Sequence, residues 1–407
     1  MSTSKSQPSV LWGQVISLAL LQGAITLTWV IYNLYLAQLL TDFGLPASLA
    51  RWLLVVENAL AIVLEPVMGG LSDQSRRWVG TRFLLISAGV IAASGLFIAI
   101  PAVVILGKPL AVMPWLLPGV MVAWAIAMTV FRSPALAMLG QYASQPNLPH
   151  AASILTLMGG LIGSVRPLAS GFLLSLGPAV TFAVGSFTLL GTAAVLRKLN
   201  PPVSPTPDPE EQAIPLPVLI QPLGLIFAVG GCIAWGIRLT MGDLLTRVLP
   251  IELPGINLGL AMGVVSIALA GFAIPAGKLA VKLGNQRALL GGLGAIAVLV
   301  SLLVSIHQAI GVTGVAIALI ACLSLINNGT IPFALSLVPG SKAGLAVGTY
   351  FGGFSAGMSL FGIVFAKPGV LALPIAAAIA AVAFLVAGLC IAASSKLPTV
   401  MPQEIPA

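Results

Sequence analysis

The stretch GGLSDQSRRWVGTR, residues 69–82, gathers one acid and three arginines in a chain of which only 7% is charged. An apolar run precedes it, at 50–70, and another follows, at 83–106. Each is long enough to cross a bilayer, which takes about 20 apolar residues in helical form. The stretch therefore reads as a polar turn between two membrane helices. Working outward from it, the same alternation covers the rest of the chain. Further apolar runs fall at 11–40, 111–138, 150–176, 178–197, 217–248, 254–280, 288–306, 309–338, 343–366 and 369–393, which makes twelve predicted spans. With 407 residues, 58% of them hydrophobic, and 44 glycines, the composition excludes a soluble domain.

The charged turn has a copy. Gly277 to Arg287, GKLAVKLGNQR, follows the eighth span as Gly69 to Arg82 follows the second. Pro134 precedes the Gly159-Gly160 pair much as Pro332 precedes Gly352-Gly353. Two six-helix units, 1–199 and 217–407, are thus expected, joined by a Pro-rich linker at 200–216 whose composition cannot bury a core. Two tethered bundles can rock about a central site, as alternating access requires.

Lys and Arg sort the loops by side. With the N-terminus inside, Lys5, Arg76, Arg77, Arg82, Arg197, Lys198, Lys278, Lys282, Arg287, Lys342 and Lys396 fall on one face, and only Arg51, Lys108, Arg247 and Lys367 on the other. Both termini are therefore expected on the cytoplasmic side of a plasma (inner) membrane. Topology and anionic lipid account for the net charge of +8 without a nucleic-acid partner. No metal or cofactor is expected: Cys232, Cys322 and Cys390 lie within spans, and His150 and His307 at opposite faces. An enzyme would need a convergent nucleophile, base or metal set, and none is present. A phosphate-binding loop is absent too.

Gly-x-Leu-Ser-Asp followed by an Arg-rich turn, with its degenerate copy, resembles the signature loop of the major facilitator superfamily, and the resemblance covers all twelve spans. The stretches 57–80 and 131–160 resemble, more narrowly, the branch of glycoside and sucrose cation symporters. The chain departs from the pattern at Val281, where the second loop lacks its acid. It departs also at Gln141 and Pro149-His150, and in a first span without any acid. The resemblance implies an all-α fold of twelve helices in two pseudo-symmetric bundles, acting as a monomeric secondary transporter. Spans one, four, seven and ten would line the cavity, and spans two and eleven, and five and eight, would meet across the halves.

Candidate residues follow. An acid at Asp73 could accept hydrogen bonds from a facing helix N-terminus, favoured by the helix dipole. With Gly69, Arg76, Arg77, Arg82, Glu65, Arg132, Gly277, Lys278 and Arg287 it forms the expected gate. Ionisable groups inside spans are costly, about 2.5 to 3.5 kcal/mol at mid-helix on insertion scales, and need a partner or a wet cavity. Glu57 and Arg166, counted from the outer ends of spans two and five, sit at comparable depth and are expected to pair. Glu57 is the first candidate for a proton-coupling group and Asp243 the second. Arg238 and Asp243, five apart on one helix, should not share a face.

Gln22, Thr26, Trp29 and Asn33 recur at i, i+4, i+7 and i+11, a single helical stripe bordered by Tyr32. With Trp235, Arg238, Asn327 and Asn328 they are the expected substrate contacts. Amides and hydroxyls suit a polyol, and aromatic rings cover the apolar face of a sugar. The arginines keep organic anions open as cargo. The alternatives are efflux of drugs or metabolites and a non-transporting receptor or assembly factor. The Gly255/Gly259/Gly263, Gly159/Gly163 and Gly353/Gly357 repeats predict close helix contacts.

Overall fold

The computed structural model describes residues 10–106, 114–200, 216–365 and 369–397. Among these residues the chain is helical, with one isolated β-bridge, Val10 to Ala143, and no strand. The predicted linker lies almost wholly outside the described residues. The helices are α1 (Trp12–Asp42), α2 (Leu49–Val79), α3 (Phe83–Leu106), α4 (Leu116–Ala137), the short α5 (Leu139–Tyr142), α6 (Leu148–Gly163), α7 (Val165–Ser175) and α8 (Gly177–Leu199). They continue as α9 (Leu216–Leu239), α10 (Leu245–Glu252), α11 (Leu258–Leu283), α12 (Asn285–Ser305), α13 (Ala309–Ser336), α14 (Ala343–Val364) and α15 (Leu373–Ser394). Eleven helices are long and apolar enough to cross a membrane, and twelve if a bent pair counts as one span.

That bent pair corrects the fifth predicted span. Gln145–Gly163 and Val165–Ser175 meet at 47° instead of running straight. Pro167 explains the break: it has no N–H to give the carbonyl of Gly163, and its ring crowds that carbonyl. Ala169 then departs from helical geometry at φ −126°.

The charged stretch is corrected as well. It is not a loop: α2 continues through Val79 and ends at Gly80, in the left-handed region at φ 73°. No residue between Gly70 and Val79 breaks a helix, and Arg76 and Arg77 in the last turn complement its dipole. Only Gly80 to Arg82 turns the chain.

The seventh predicted span also departs from a regular helix. Between α9 and α10, residues Thr240–Leu244 form a π-helical turn.

Two buried apolar clusters organise the molecule. The first draws on α1 to α6 and α8, from Val10 to Leu196, and is joined by Leu335, Ala343 and Val347. The second draws on α9 to α15, from Leu219 to Ile391. Between them the most extensive contact is α14 against α2, and α11 packs against α6.

The glycines at these contacts are not all those expected. Gly344, Gly348 and Gly352, every fourth residue of α14, lie on the backbone of α2, where a Cβ would come within 2.3 Å of Gly69 O, 2.2 Å of Glu65 O and 2.8 Å of Ile62 O respectively. Gly353 and Gly357 face α9 instead, against Phe227 O and Gly231 O. On α11, Gly263 meets Leu168 and Gly277 meets Ser153, whereas Gly159 and Gly163 touch nothing a Cβ would disturb. The α6 contact is made by Gly160, which meets Ala270.

Replacing Gly348 by Ala forces α14 off α2 and should cost about 1 to 3 kcal/mol, the usual penalty of overpacking. The unfolding midpoint of the detergent-solubilised protein should fall. Gly95→Ala, at a position with nothing within 4 Å, should leave the midpoint unchanged or raise it slightly.

Candidate functional site

Three layers of charge run from the Gly80 end of α2 toward its Leu49 end. The first is the contact of Asp73 with α14. Its two carboxylate oxygens accept the backbone N–H groups of Gly344 at 2.9 Å and Leu345 at 2.8 Å. A helix N-terminus has four N–H groups without an intrahelical acceptor and a partial positive charge, and Asp73 supplies both acceptor and counter-charge. Arg82 pairs with Asp73 at 2.6 Å and donates to Ser72 Oγ at 3.1 Å. Burial pushes the Arg82 guanidinium below its ordinary pKa, and the Asp73 charge opposes that shift. Arg76 reaches Gly340 O at 3.5 Å, the edge of hydrogen-bond length, and Arg77 is exposed.

The duplicated position is built differently. Gly277 seats α11 on the start of α6, where a Cβ would meet Ser153 Cβ at 2.7 Å and Pro149 O at 3.0 Å. Val281 follows Gly277 by four residues, as Asp73 follows Gly69. Lys278 and Arg287 are exposed.

The second layer is Glu65, fully buried. It accepts from Arg132 and from Ser133 Oγ. Arg132 in turn lies 4.5 Å from the centre of the Phe351 ring.

The third layer opens into a cavity of about 550 Å³ between the two clusters. Trp29, Asn33, Arg51, Glu57, Asn58, Thr129 and Arg132 line it from one half. Arg238, Asp243, Ser355, a Phe354–Met358–Phe361–Phe365 stripe and Gly369 to Leu371 line it from the other. The expected Glu57–Arg166 pair does not form. Glu57 accepts from the Tyr32 hydroxyl, and its second oxygen is buried without a partner among the described residues. Depth counting brought Glu57 and Arg166 to one level, but it could not see the Pro167 break or the angular position around the bundle. Tyr32 is held in an aromatic box with Trp29 and Trp124, backed by Phe97.

Arg238 and Asp243 share the cavity after all. In a π turn the hydrogen bond runs i to i+5, so residues five apart come nearly into register. Asp243 takes Arg247 at 3.1 Å and the Gly369 N–H at 3.1 Å. Arg247 also donates to Leu371 O at 2.8 Å, which ties α10 to the α14–α15 connection.

The α1 stripe reaches the cavity only through Trp29 and Asn33. Gln22 and Thr26 flank Gly23, which packs on Met158 and Ile162 of α6 in the same half, and Thr26 donates to Gln22 O within its own helix. Tyr32 stands behind the cavity wall. Trp235 donates to Gly357 O at 2.7 Å and Asn328 to Ala273 O at 2.7 Å, so both are spent on helix contacts. Asn327 does not line the cavity either. The sequence reading missed Asn58, Thr129, Ser355 and the Phe354 stripe. That stripe repeats at i, i+4, i+7 and i+11 as the α1 stripe does, but its apolar side chains look like core or lipid-facing ones.

Two bundles around a cavity with one face sealed is a transporter architecture, and a profile of the Major Facilitator Superfamily matches residues 18–362. The chain belongs to that superfamily. Its members are carriers and not enzymes. Among solved structures, a bacterial homologue of the iron transporter ferroportin in its outward-facing state superimposes with TM-score 0.73 at 17% identity, covering 94% of this chain and 98% of that one. The proton:xylose symporter XylE, bound to 6-bromo-6-deoxy-D-glucose, gives 0.71 at 12% identity, with 96% of each chain covered. The human organic anion transporter MFSD10 gives 0.66 at 15%, covering 95% of this chain and 100% of that one. These identities speak to fold alone. No curated protein matches the sequence.

Asp73→Asn leaves the α14 N–H groups a weaker acceptor and strands the Arg82 charge, while Arg82→Gln strands the Asp73 charge. Each should destabilise by about 3 to 5 kcal/mol, as removal of one partner of a buried pair does. The double variant should lose clearly less than the sum of the two, measured as a thermal double-mutant cycle in detergent.

Proposed function

We propose that this superfamily member is a secondary transporter that carries a small polar organic solute by alternating access, with Glu57 exchanging a coupling proton. The observation that carries the reading is the cavity itself: it lies between the two bundles, with Arg51 and Gly369 to Leu371 in its lining, while at the other end of α2 Asp73 and the glycine seat hold α14 against it. Arg76, Arg77 and Arg82 cluster at the closed end, so the positive-inside rule makes that end cytoplasmic and the conformation outward-facing. Both termini are then cytoplasmic.

In this reading Asp73 is the latch of the cytoplasmic gate, with Gly69 and Gly277 as the seats for the opposing helices. Glu65 and Arg132 form the floor of the cavity. The floor pair spans α2 and α4 of one half, so it moves as a unit when the halves rock. The solute meets Trp29, Asn33, Asn58, Thr129 and Ser355, whose hydrogen-bonding groups and ring suit a hydroxylated molecule. The likeness of 57–80 and 131–160 to glycoside and sucrose symporters supports the same class. Iron, the cargo of the ferroportin relative, finds no group of three or more His, Cys, Asp or Glu side chains among the described residues that could hold a metal.

Glu57 carries the coupling in this reading because, among the described residues, it is the cavity acid with no cation paired to it. Asp243 is held by Arg247 and Gly369, and Glu65 by Arg132. A buried carboxylate whose only donor is one tyrosine gains most by taking a proton, and losing that proton to the opposite side would reset the cycle.

Reconstituted in proteoliposomes and offered a panel of labelled sugars and sugar acids, the protein should show saturable uptake that an inward proton gradient accelerates. Glu57→Gln should lose the acceleration and keep gradient-independent solute exchange. Unaltered gradient dependence in Glu57→Gln would remove Glu57 as the coupling group. Absence of both uptake and exchange for every solute the folded protein binds would remove the transporter reading.

A further inference from the structure

Among the described residues, the charges around the cavity are not all paired. Arg132 is neutralised by Glu65, and Asp243 by Arg247. Arg238 forms no ion pair and no hydrogen bond with any described residue. Its guanidinium lies 5.7 Å from the centre of the Phe361 ring. It also occupies the space a side chain at position 242 would fill: a Cβ on Gly242 would come within 2.4 Å of Arg238 Nη1. The guanidinium is thus seated on a bare stretch of π-helical backbone beside an aromatic ring and exposed to the cavity. Arg166, in the first turn of α7 and so from the opposite half, is near enough for its charge to repel that of Arg238. It too has no ion pair among the described residues.

Arg238 lines the cavity and Arg166 does not; an arginine inside a membrane without a paired acid is costly, and an anion beside Arg238 removes the cost. We infer that the transported solute is an organic carboxylate, its carboxylate group held by Arg238 and drawn to the side of Arg166, with the rest of the molecule against Trp29, Asn33 and Asn58. A carboxylate fits because the guanidinium fork offers two parallel N–H donors to its two oxygens. A doubly charged phosphate is less suited, since Asp243 lies beside Arg238 and repels the second charge. The site also links ligand to conformation. Arg238 belongs to one half and Trp29, Asn33 and Asn58 to the other, so a solute held by all of them favours the halves being drawn together, whereas the empty site favours their separation. This inference rests on the transporter reading above and specifies its solute.

The test is a thermal-shift and equilibrium-binding panel on the full-length protein in detergent. It comprises acetate, lactate, malate, gluconate and glucuronate, their neutral counterparts acetamide, glycerol and glucose, and inorganic phosphate and sulfate. At least one carboxylate should stabilise the protein where its neutral counterpart does not. Arg238→Gln should weaken that binding about tenfold or more, as loss of a charge-assisted pair does, and Arg166→Gln should weaken it as well.

Gly242→Ala is the companion variant: it keeps the charge and displaces the guanidinium, so it should weaken carboxylate binding with the protein still folded. Stabilisation by a neutral polyol equal to that by its acid, stabilisation by phosphate or sulfate but by no carboxylate, or no stabilisation by any carboxylate would each overturn the inference. So would carboxylate binding unchanged in both Arg238→Gln and Gly242→Ala. Exchange of the bound solute across proteoliposomes separates the two proposals. Exchange of a neutral polyol, indifferent to Arg238→Gln, would end the carboxylate inference and leave the transporter standing, whereas carboxylate binding without exchange would do the reverse.

Discussion

The architecture depends on the absence of side chains between α14 and α2. Where Gly344, Gly348 and Gly352 meet the carbonyls of α2, two helix backbones from opposite halves touch directly. Lipid tails are as apolar as leucine, so no hydrophobic force distinguishes helix from lipid, and close packing has to supply the association. That proximity brings the start of α14 within hydrogen-bond reach of Asp73. A bulkier α14 would leave the Asp73 carboxylate short of the Gly344 and Leu345 N–H groups. The pair with Arg82 would then be a buried ion pair lacking the extra hydrogen bonds that help to offset its desolvation. Packing of small residues and placement of charge are therefore one constraint and not two.

The cost of charge in the membrane sorts the ionisable residues into two kinds. Asp73, Glu65 and Arg82 are buried and answered by partners in their own layer. Glu57, Arg238 and Asp243 line water-accessible space, and the strength of their answers differs. Asp243 has two donors, Glu57 has one neutral hydroxyl, and Arg238 has an aromatic ring in place of an acid. A fold that pairs Asp73, Glu65 and Asp243 and leaves these two incompletely satisfied among the described residues directs attention to them, because such groups need water or a bound ligand beside them.

How far this was legible in the sequence depended on which dimension of the structure was being read. Span positions were: α3 begins and ends where the apolar run does, at Phe83 and Leu106. So was the relation of Asp73 to a helix start across the molecule, because a duplicated motif implies a partner and a helix dipole implies what that partner offers. What failed was angle. Glu57 and Arg166 were matched by depth, which counting residues can give, but azimuth around a bundle depends on tilt and on the break at Pro167. Arg238 and Asp243 were separated by the arithmetic of a regular helix, and a π turn adds the one residue that cancels it. The stripe on α1 was real as periodicity, yet half of it lies where Gly23 lets α6 close in. Periodicity reports a face and not what meets that face.

The two copies of the signature motif have kept their glycines and diverged in their charge. Gly69 and Gly277 do the same work, each seating a helix from the other half, but only the first is followed four residues later by an acid. Among the described residues no side-chain hydrogen bond or ion pair joins α11 to α6, so sliding one along the other disturbs van der Waals contacts, and these reform continuously as small residues pass one another. Parting α14 from α2 breaks two charge-assisted hydrogen bonds and admits water to a buried ion pair, a discrete event. In the cycle proposed above, one arm is graded and the other stepwise: the Asp73 carboxylate would set how strongly the closed face is held, and the α6–α11 contact would guide the path of the halves.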